Sequence, residues 1–309
     1  MIHVTDIAYV RYQAPDLDAM ETFLLDFGLH RAARTDDALY MRAGGTDPVV
    51  HITQRGPAAT LGFGFHAASD DDLVRLAAHL GTGVEDNAEP GGGRCVRFTD
   101  PSGFQVEVVH GREAAPPQPA RPSIGANPFD RRARRGETVR LQPKPSNVRR
   151  LGHVAVLTAN FAETRAFYET VLGFKASDTY WVGAPENEIA AFLHCGLGDQ
   201  WTDHHTIAWI ASQDGRTRFD HSAFEVLDLD DLMQGHALLA ARGYPHAWGV
   251  GRHIQGSQIF DYWRDPFGHK IEHWTDGDLV NDSVPTQAAP LSPNELFQWG
   301  PAPTPAFFE

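Results

Sequence analysis

The sequence predicts an α+β protein with two domains, each made of two β-α-β-β-β modules whose mixed sheets curl. Residues 100–107 read Asp-Pro-Ser-Gly-Phe-Gln-Val-Glu, and residues 265–272 read Asp-Pro-Phe-Gly-His-Lys-Ile-Glu. A turn followed by an alternating strand that ends in a carboxylate therefore occurs twice. Each half also contains two acidic helix starts, which indicates a second duplication inside each half.

The first half opens with a short strand at residues 7–10 and an amphipathic helix. That helix has an acidic start at Asp16, carries apolar residues at helical spacing and ends at Gly28. A second helix is predicted from Ser69, which three aspartates follow. It leads into a Gly-rich loop and closing strands, so the half reads as two similar modules.

The second half repeats this order. A strand at residues 151–156 precedes a helix at 160–168, and a second helix begins at Leu229. We expect the sheets of the four modules to curl so that two modules face each other, which makes a cup able to hold a metal or a ligand.

Two segments lack periodicity and set the domain boundaries. Residues 113–147 are rich in proline and arginine and are predicted to be a linker, with its arginine cluster solvated or paired with acids rather than bound to nucleic acid. The predicted domains are therefore residues 1–112 and 148–275, followed by an irregular tail at 276–309. Aromatic residues in the tail suggest that it packs on a domain or across a subunit interface.

Composition limits the function classes. The 309 residues are 42% hydrophobic with a formal charge of −14, which fits a folded protein and disfavours general binding to nucleic acid or anionic membranes. The two cysteines, Cys95 and Cys195, form no disulfide framework or paired thiolate zinc motif. The sequence has no leader-like N-terminal stretch and no bilayer-length apolar run, so we expect a cytoplasmic location.

Three candidate metal ligands come from three predicted strands of the second half: His153, His221 and Glu272. Two neutral imidazoles and one carboxylate occupy one face of an octahedral ion and leave the other face open, an arrangement that suits iron(II) when substrate and oxygen must bind together. With 16 histidines in the chain, any one of them is weak evidence, and the joint pattern carries the prediction.

The duplication provides an internal control. Aligning the two halves places Tyr9 opposite His153 and Gly62 opposite His221, whereas Glu107 matches Glu272. The first half is therefore predicted to hold no metal and to act as a scaffold for the second.

With these ligand positions, the chain resembles the type I extradiol ring-cleaving dioxygenases of the vicinal oxygen chelate superfamily, over about residues 3 to 275. The resemblance implies iron in the C-terminal domain only, held by the three residues above, with Mn(II) as the alternative metal. It also implies that a catechol and O2 are the substrates and that the product is a ring-opened hydroxymuconic semialdehyde or a related acid, as expected in aromatic catabolism.

The same resemblance assigns roles around the metal. His205 in His-His-Thr matches the acid/base histidine, His253 in Gly-Arg-His matches a histidine that donates to substrate oxygens, and Tyr262 matches a tyrosine that contacts a catechol hydroxyl. His246 and Trp248 precede that loop and are candidates for substrate contact. The sequence departs from many relatives at residues 255–256, where Gln-Gly replaces Asn-Asp.

Two other functions remain open at this point: a glyoxalase-like, metal-dependent isomerase or thiol transferase, and a protein that binds an aromatic ligand without catalysis. Aromatic residues near the predicted cup would suit an aromatic substrate or simply a core: Trp181, Phe192, Trp209, Trp248 and Trp263. Exposed sheet edges and the tail favour a homo-oligomer.

Overall fold

The computed structural model describes residues 1–292, 295–304 and 307–308. It contains four helices within the described part of the chain: α1 (Leu17–Phe27), α2 (Asp70–Leu80), α3 (Phe161–Thr170) and α4 (Leu229–Ala241). The strands of the first half are β1 (Val4–Ala14), β2 (His30–Arg34), β3 (Ala38–Arg42), β4 (His51–Arg55), β5 (Ala59–Ala67), β6 (Glu85–Asp86), β7 (Arg94–Thr99) and β8 (Gln105–His110).

The second half continues with β9 (Val148–Thr158), β10 (Phe174–Trp181), β11 (Glu188–Cys195), β12 (Thr202–Asp203), β13 (Ile207–Ala211), β14 (Arg218–Val226), β15 (His246–Arg252), β16 (Ile259–Arg264), β17 (Lys270–Thr275), β18 (Leu279–Val280) and β19 (Gln287–Pro290). No helix among the described residues is both long enough and apolar enough to cross a membrane.

The two large sheets have the same construction. The first has the order β2-β3-β4-β1-β5-β8-β7-β6. The second, given in the same direction, has the order β19-β10-β11-β13-β9-β14-β17-β16-β15. In each, two long antiparallel strands form the centre, β1 with β5 and β9 with β14, and each central strand pairs in parallel with the last strand of its own module. The predicted α+β fold with four β-α-β-β-β modules is confirmed.

The helices begin where the acidic starts predict. Asp16, Ser69 and Asp228 each cap a helix by accepting hydrogen bonds from backbone N–H groups of the first turn. The helix α1 ends at Gly28, whose φ of 112° lies in the left-handed region that favours glycine. The α3 start at Asn160 has no such side-chain bond.

The repeated turns fold alike. Oδ1 of Asp100 accepts hydrogen bonds from the backbone N–H of Ser102 and Phe104, and Oδ1 of Asp265 accepts them from Phe267 and His269. A glycine at the fourth position has φ of 95° in the first turn and 94° in the second. The repeated sequence therefore forms a repeated aspartate-stabilised turn. The strand that follows each turn, β8 or β17, lies next to a central strand of its sheet.

Strand register confirms the internal alignment. In the first half, Gly62 pairs with Gln105, and Gly64 pairs with Glu107. In the second half, His221 pairs with Lys270, and Ala223 pairs with Glu272. Tyr9 pairs with Gly64 as His153 pairs with Ala223. Each predicted ligand thus has the structural counterpart that the repeat indicates.

The two halves share one hydrophobic core, which includes buried side chains from both sheets and from all four helices. Polar contacts also cross between them. Tyr12 Oη lies 2.9 Å from Ser222 Oγ, and the His273 imidazole stacks on Phe27 and lies 2.7 Å from its carbonyl oxygen. Burial of apolar surface and these bonds hold the scaffold half against the half that carries the candidate ligands.

The segment at 113–147 contains no helix or strand but is anchored at several points. Its backbone bonds to Thr46 and Gly44, and Arg121 forms a two-bond ion pair with Asp228 at 2.6 and 2.7 Å. Arg121 lies outside the arginine cluster at 131–135, in which Arg134 and Arg135 donate to backbone carbonyl oxygens. The domain boundaries themselves stay a prediction.

The described residues of the segment at 276–309 include the strands β18 and β19. β19 pairs in parallel with β10 and extends the second sheet. Leu296, Phe297 and Phe307 pack against a cluster around Trp248. The predicted packing of the tail on a domain is seen for these three residues, whereas Trp299 and Phe308 remain 45% and 66% exposed.

Candidate active site

Three ligand atoms converge at the centre of the second sheet. His153 Nε2 and His221 Nε2 are 3.4 Å apart, and each lies 3.3 Å from Oε2 of Glu272. Ligand atoms about 2.1 Å from one ion stand roughly 3.0 to 3.4 Å apart when the bond angles lie between 90° and 109°. The triangle therefore has the size that a divalent metal requires.

Sheet topology explains the convergence. His153 lies on β9, His221 on β14 and Glu272 on β17, and these three strands are adjacent. Side chains alternate along a strand and directly paired residues of neighbouring strands share a face, so His153 and Glu272, which both pair with Ala223, lie on the face of His221 two residues away. The three side chains project together from the middle of the sheet, where each residue is at most 8% exposed.

The hydrogen bonding of His221 shows that the site fits a cation. Its Nδ1 donates to Oδ2 of Asp220 at 2.6 Å, which leaves Nε2 with a lone pair directed towards Glu272. Lys270 in turn holds Asp220 with a 2.9 Å bond. The lone pair of Nε2 and the carboxylate oxygen of Glu272 are both acceptors, and they lie 3.3 Å apart. A metal ion can bind both atoms at this separation, whereas a single proton between them would form only a long hydrogen bond.

Protonation tendencies agree with this geometry. Burial holds the pKa of His153 well below its usual value, and the neighbouring His221 lowers it further. A neutral imidazole is the form that binds metals. Burial also raises the pKa of Glu272, and the imidazoles of His221 and His253 partly offset that rise.

A cavity of about 530 Å³ opens in front of the triangle. This volume falls within the roughly 300 to 1,000 Å³ typical of ligand pockets. Apolar side chains cover most of the wall: Ala155, Leu157, Ile189, Ala190, Phe192, Ala208, Ile210, Trp248, Leu291 and Leu296. Such a wall favours an aromatic or aliphatic ligand over a strongly hydrated one.

His205 lies in this cavity beside the triangle. Its ring centroid is 4.2 Å from that of His153 and 5.1 Å from that of Phe192. Burial holds its pKa well below the usual value, with His153 and His204 adding to the effect. The predicted acid/base residue is therefore a neutral imidazole within reach of a ligand at the metal position.

His253 and Tyr262 form a pair on the opposite wall, where His253 Nε2 lies 3.0 Å from Tyr262 Oη. Tyr262 is on β16, directly paired with Glu272 on β17, and its ring contacts that of His221 edge-on. Burial and the charge of Glu272 raise the pKa of Tyr262 well above its usual value. The phenol therefore stays protonated and can donate a hydrogen bond to a ligand.

Of the two further substrate-contact candidates, Trp248 lines the cavity and stacks 5.8 Å from Tyr262, whereas His246 does not line it. His246 Nε2 bonds at 2.8 Å to the buried carboxylate of Asp261. A register shift between His246 and Trp248 in β15 separates the surroundings of these two residues. The structure thus places the predicted His246 contact outside the substrate cavity.

The other candidate aromatic residues divide in the same way. Phe192 lines the cavity. Trp209 is fully buried in the core beside Tyr168, and Trp263 is fully buried and bonds to Asp261. Trp181, at the end of β10, is not among the described residues that line the cavity.

The matching position in the first half is filled by protein. Tyr9 Oη donates to Glu107, and Arg11 pairs with both Glu107 and Glu89, at 3.0 and 2.7 Å. Arg97 adds a second cation to the network, 2.9 Å from Glu107. Side-chain cations therefore neutralise the carboxylate that matches Glu272.

Comparison with known proteins agrees with the fold and the site. Residues 150–273 match the family model "Glyoxalase/Bleomycin resistance protein/Dioxygenase superfamily". The chain is 31% identical to Metapyrocatechase 2 of Cupriavidus necator, over 96% of this chain and 89% of that protein.

Solved structures share the whole architecture. The Mn(II)-bound glyoxalase from Novosphingobium aromaticivorans superimposes with a TM-score of 0.81 at 25% identity, covering 99% of this chain and 94% of that one. Homoprotocatechuate 2,3-dioxygenase from Brevibacterium fuscum gives 0.82 at 21% identity, with 99% and 92% covered, and shows the likeness of fold. The predicted resemblance is confirmed, and the chain belongs to the extradiol dioxygenases of the glyoxalase, bleomycin resistance protein and dioxygenase superfamily.

Proposed function

We propose that this extradiol dioxygenase opens catechols that carry an uncharged, apolar substituent, and that it uses Fe(II) held by His153, His221 and Glu272. The observation that carries the proposal is the ligand triangle at the base of a largely apolar cavity. Mn(II) is the alternative ion, because the same donor set accepts it.

The choice of Fe(II) rests on the donor set. Two imidazoles and one carboxylate with open positions are typical of iron enzymes that activate oxygen. When bound, the ion supplies a Lewis acid and a one-electron redox partner for a catechol and O2. The protein contribution is a fixed set of donors, since Asp220 and Lys270 hold His221 from behind.

Side chains on two walls handle the protons of the substrate. Tyr262 and His253 lie together on one wall and can hydrogen-bond to a catechol oxygen, which favours its deprotonated form. His205 lies on the other side of His153 and, being neutral, can accept a proton from the substrate and later return it. These roles follow from position and protonation state.

The substituent preference follows from charge. Arg218 is the single lysine or arginine among the described residues that line the cavity, and its guanidinium bonds to Asp214 at 2.6 Å. The carboxylate of Asp220, which also lines the cavity, is already paired with Lys270 and His221. A carboxylate on the substrate would therefore lose its hydration without a free cation to replace it, whereas an alkyl or aryl group gains from the apolar wall.

The test compares matched catechols on metal-depleted protein reloaded with Fe(II) or Mn(II) under nitrogen and then exposed to air. We expect oxygen uptake together with a new yellow chromophore. Each buried methylene contributes about 0.8 kcal/mol, so 4-propylcatechol should exceed catechol in kcat/KM by up to about 50-fold. A carboxylate-bearing catechol, 3,4-dihydroxyphenylacetate, should fall below 4-propylcatechol.

Two variants give the result its meaning. His221→Ala should lose metal and activity together, whereas His205→Ala should retain the metal and lose about 100-fold or more in kcat. A preference for the carboxylate-bearing catechol would contradict the substituent proposal while leaving ring cleavage intact.

Lewis-acid chemistry without oxygen is the second candidate, favoured by the structural likeness to a Mn(II)-bound glyoxalase. The same metal-loaded samples, assayed under nitrogen with a thiol adduct of a 2-oxoaldehyde, separate the two functions. Turnover without oxygen, and no oxygen uptake with any catechol, would favour the isomerase.

A further inference from the structure

Three side chains form a hydrogen-bonded line from the cavity wall to β10. Nδ1 of His205 lies 3.1 Å from Nδ1 of His204, and Nε2 of His204 lies 2.7 Å from Oδ2 of Asp178. His204 and His205 are 5% and 4% exposed, and the Asp178 side chain is 14% exposed. Such a line, almost free of water, can transmit the orientation of one hydrogen bond to the next.

We propose that Asp178 and His204 are positioning residues that determine which nitrogen of His205 carries the proton. The inference rests on the proposed role of His205 in proton transfer, and it adds two residues that the sequence pattern did not assign to the reaction.

The direction of each bond follows from donor and acceptor chemistry. A carboxylate only accepts, so Nε2 of His204 carries the hydrogen that Asp178 binds. A neutral His204 then has its lone pair on Nδ1 and accepts the hydrogen on Nδ1 of His205. The lone pair of His205 is thereby on Nε2, the ring nitrogen on the side away from His204.

This tautomer suits the reaction. Nε2 of His205 forms an N–H bond as the O–H bond of the substrate breaks, and the resulting imidazolium gives the same proton back to the product. While the ring is charged, its Nδ1–H bond to His204 and the bond from His204 to Asp178 stabilise the charge. With the other tautomer, Nε2 would already hold a hydrogen and could not act as the base.

His204 is held on every side. Its N–H donates to Asp278 O at 3.0 Å, and its carbonyl accepts from Ser177 Oγ at 2.6 Å. A side chain at Gly256 would place Cβ 3.0 Å from Nδ1 of His204, tighter than most Cβ contacts, and its φ of 72° also favours glycine. The Gln-Gly departure noted in the sequence therefore lets the loop close on this imidazole.

The first test reads the tautomer directly in metal-free protein labelled with ¹⁵N in histidine, by long-range proton–nitrogen correlation, with His205→Ala to assign the signals. We expect His205 to carry its hydrogen on Nδ1 in the wild type. In Asp178→Asn, the amide can donate to His204 and reverse the line, so we expect signal from the form with hydrogen on Nε2 of His205. Hydrogen on Nε2 in the wild type overturns the proposal.

The second test is kinetic. Changing a residue that orients a functional histidine typically costs about 10 to 100-fold, so Asp178→Asn should lower kcat by that factor and change KM by less than about threefold. Asp178→Glu keeps the carboxylate and should recover part of the loss. Asp282→Asn is the matched control, since Asp282, in the turn after β18, lies 3.6 Å from His194 of β11 and does not contact His205.

The outcomes separate the proposals. Wild-type kcat and wild-type tautomer in Asp178→Asn would overturn the inference. Should Asp178→Asn fail to fold, His204→Phe keeps a ring in place, removes both bonds, and should show the same loss in kcat. If no catechol is cleaved by any sample, the proposed function fails, whereas the tautomer in metal-free protein still decides the role of Asp178.

Discussion

Replacing Asp220 by Asn should weaken metal binding without changing a ligand. Oδ2 of Asp220 accepts a hydrogen bond from His221 at 2.6 Å, and Oδ1 accepts one from Lys270 at 2.9 Å. The amide retains the acceptor for His221 but loses the negative charge, and Lys270, whose side chain is 5% exposed, is left without its counter-ion. A buried positive charge near the site opposes a second one.

The expected size follows from these two losses. A hydrogen bond to a charged group is worth about 1.5 to 3 kcal/mol, and a neutral one is worth about 0.5 to 1.5 kcal/mol, so the first loss is about 1 to 1.5 kcal/mol. The unpaired lysine adds to it, which gives a total of about 1.4 to 2.7 kcal/mol, or 10 to 100-fold in Kd. Most of the effect should appear as faster release of the metal.

Competition with a coloured chelator under nitrogen measures this Kd for Fe(II) and Mn(II). Asp214→Asn is the control, because Asp214 lines the same cavity and pairs with Arg218 but contacts no predicted ligand. We expect it to stay within about twofold of the wild type. An equal Kd in folded Asp220→Asn and wild type would refute the reasoning, since the carboxylate would then play no part in holding His221.

Two stability predictions concern the first half. Burial lowers the pKa of His51 to about 3, so below pH 6.5 the unfolded chain binds a proton that the native state does not, and by pH 5 the native state has lost about 2 kcal/mol. The urea midpoint should therefore decrease less between pH 7 and pH 5 in His51→Gln than in the wild type. An identical decrease in the two proteins would count against a neutral His51. Gly62→Ala should destabilise by about 3 kcal/mol, because its Cβ would stand 1.8 Å from Gln105 O. Gly83→Ala, which meets nothing within 4 Å, should change the midpoint by less than about 0.5 kcal/mol, and equal effects of the two variants would contradict the steric argument.

The fold could be predicted in detail because it is repeated. The turns after Asp100 and Asp265 place Glu107 and Glu272 at the same station, and strand alternation then fixes what lies opposite them. The helix starts follow from local capping chemistry. The strands after residue 276 were not predicted, because β19 pairs with the edge of β10 and β18 pairs with β12, and both partners are distant in sequence.

The candidate site shows a similar division. His153, His221 and Glu272 converge as the pattern predicts, since residues 221–223 pair in unbroken register with 153–155 on one side and with 270–272 on the other. His246 does not, because a register shift separates it from Trp248. The sequence pattern does not indicate Asp178, because this residue lies 26 residues from His204 and no periodicity connects β10 to the segment that precedes β13. Long-range pairs between ordinary residues leave no local signal.

The contact between Gly62 and Gln105 also constrains the history of the protein. If both halves descend from one ancestral unit, the first half could not regain a histidine at position 62 by a single substitution, because the carbonyl of the neighbouring strand occupies that space. Tyr9 and Arg11 would have to change as well, since they now engage the carboxylate of Glu107. A metal site in the first half would therefore require several substitutions together with a shift of the Gln105 carbonyl, so no single substitution would give the two halves the same role.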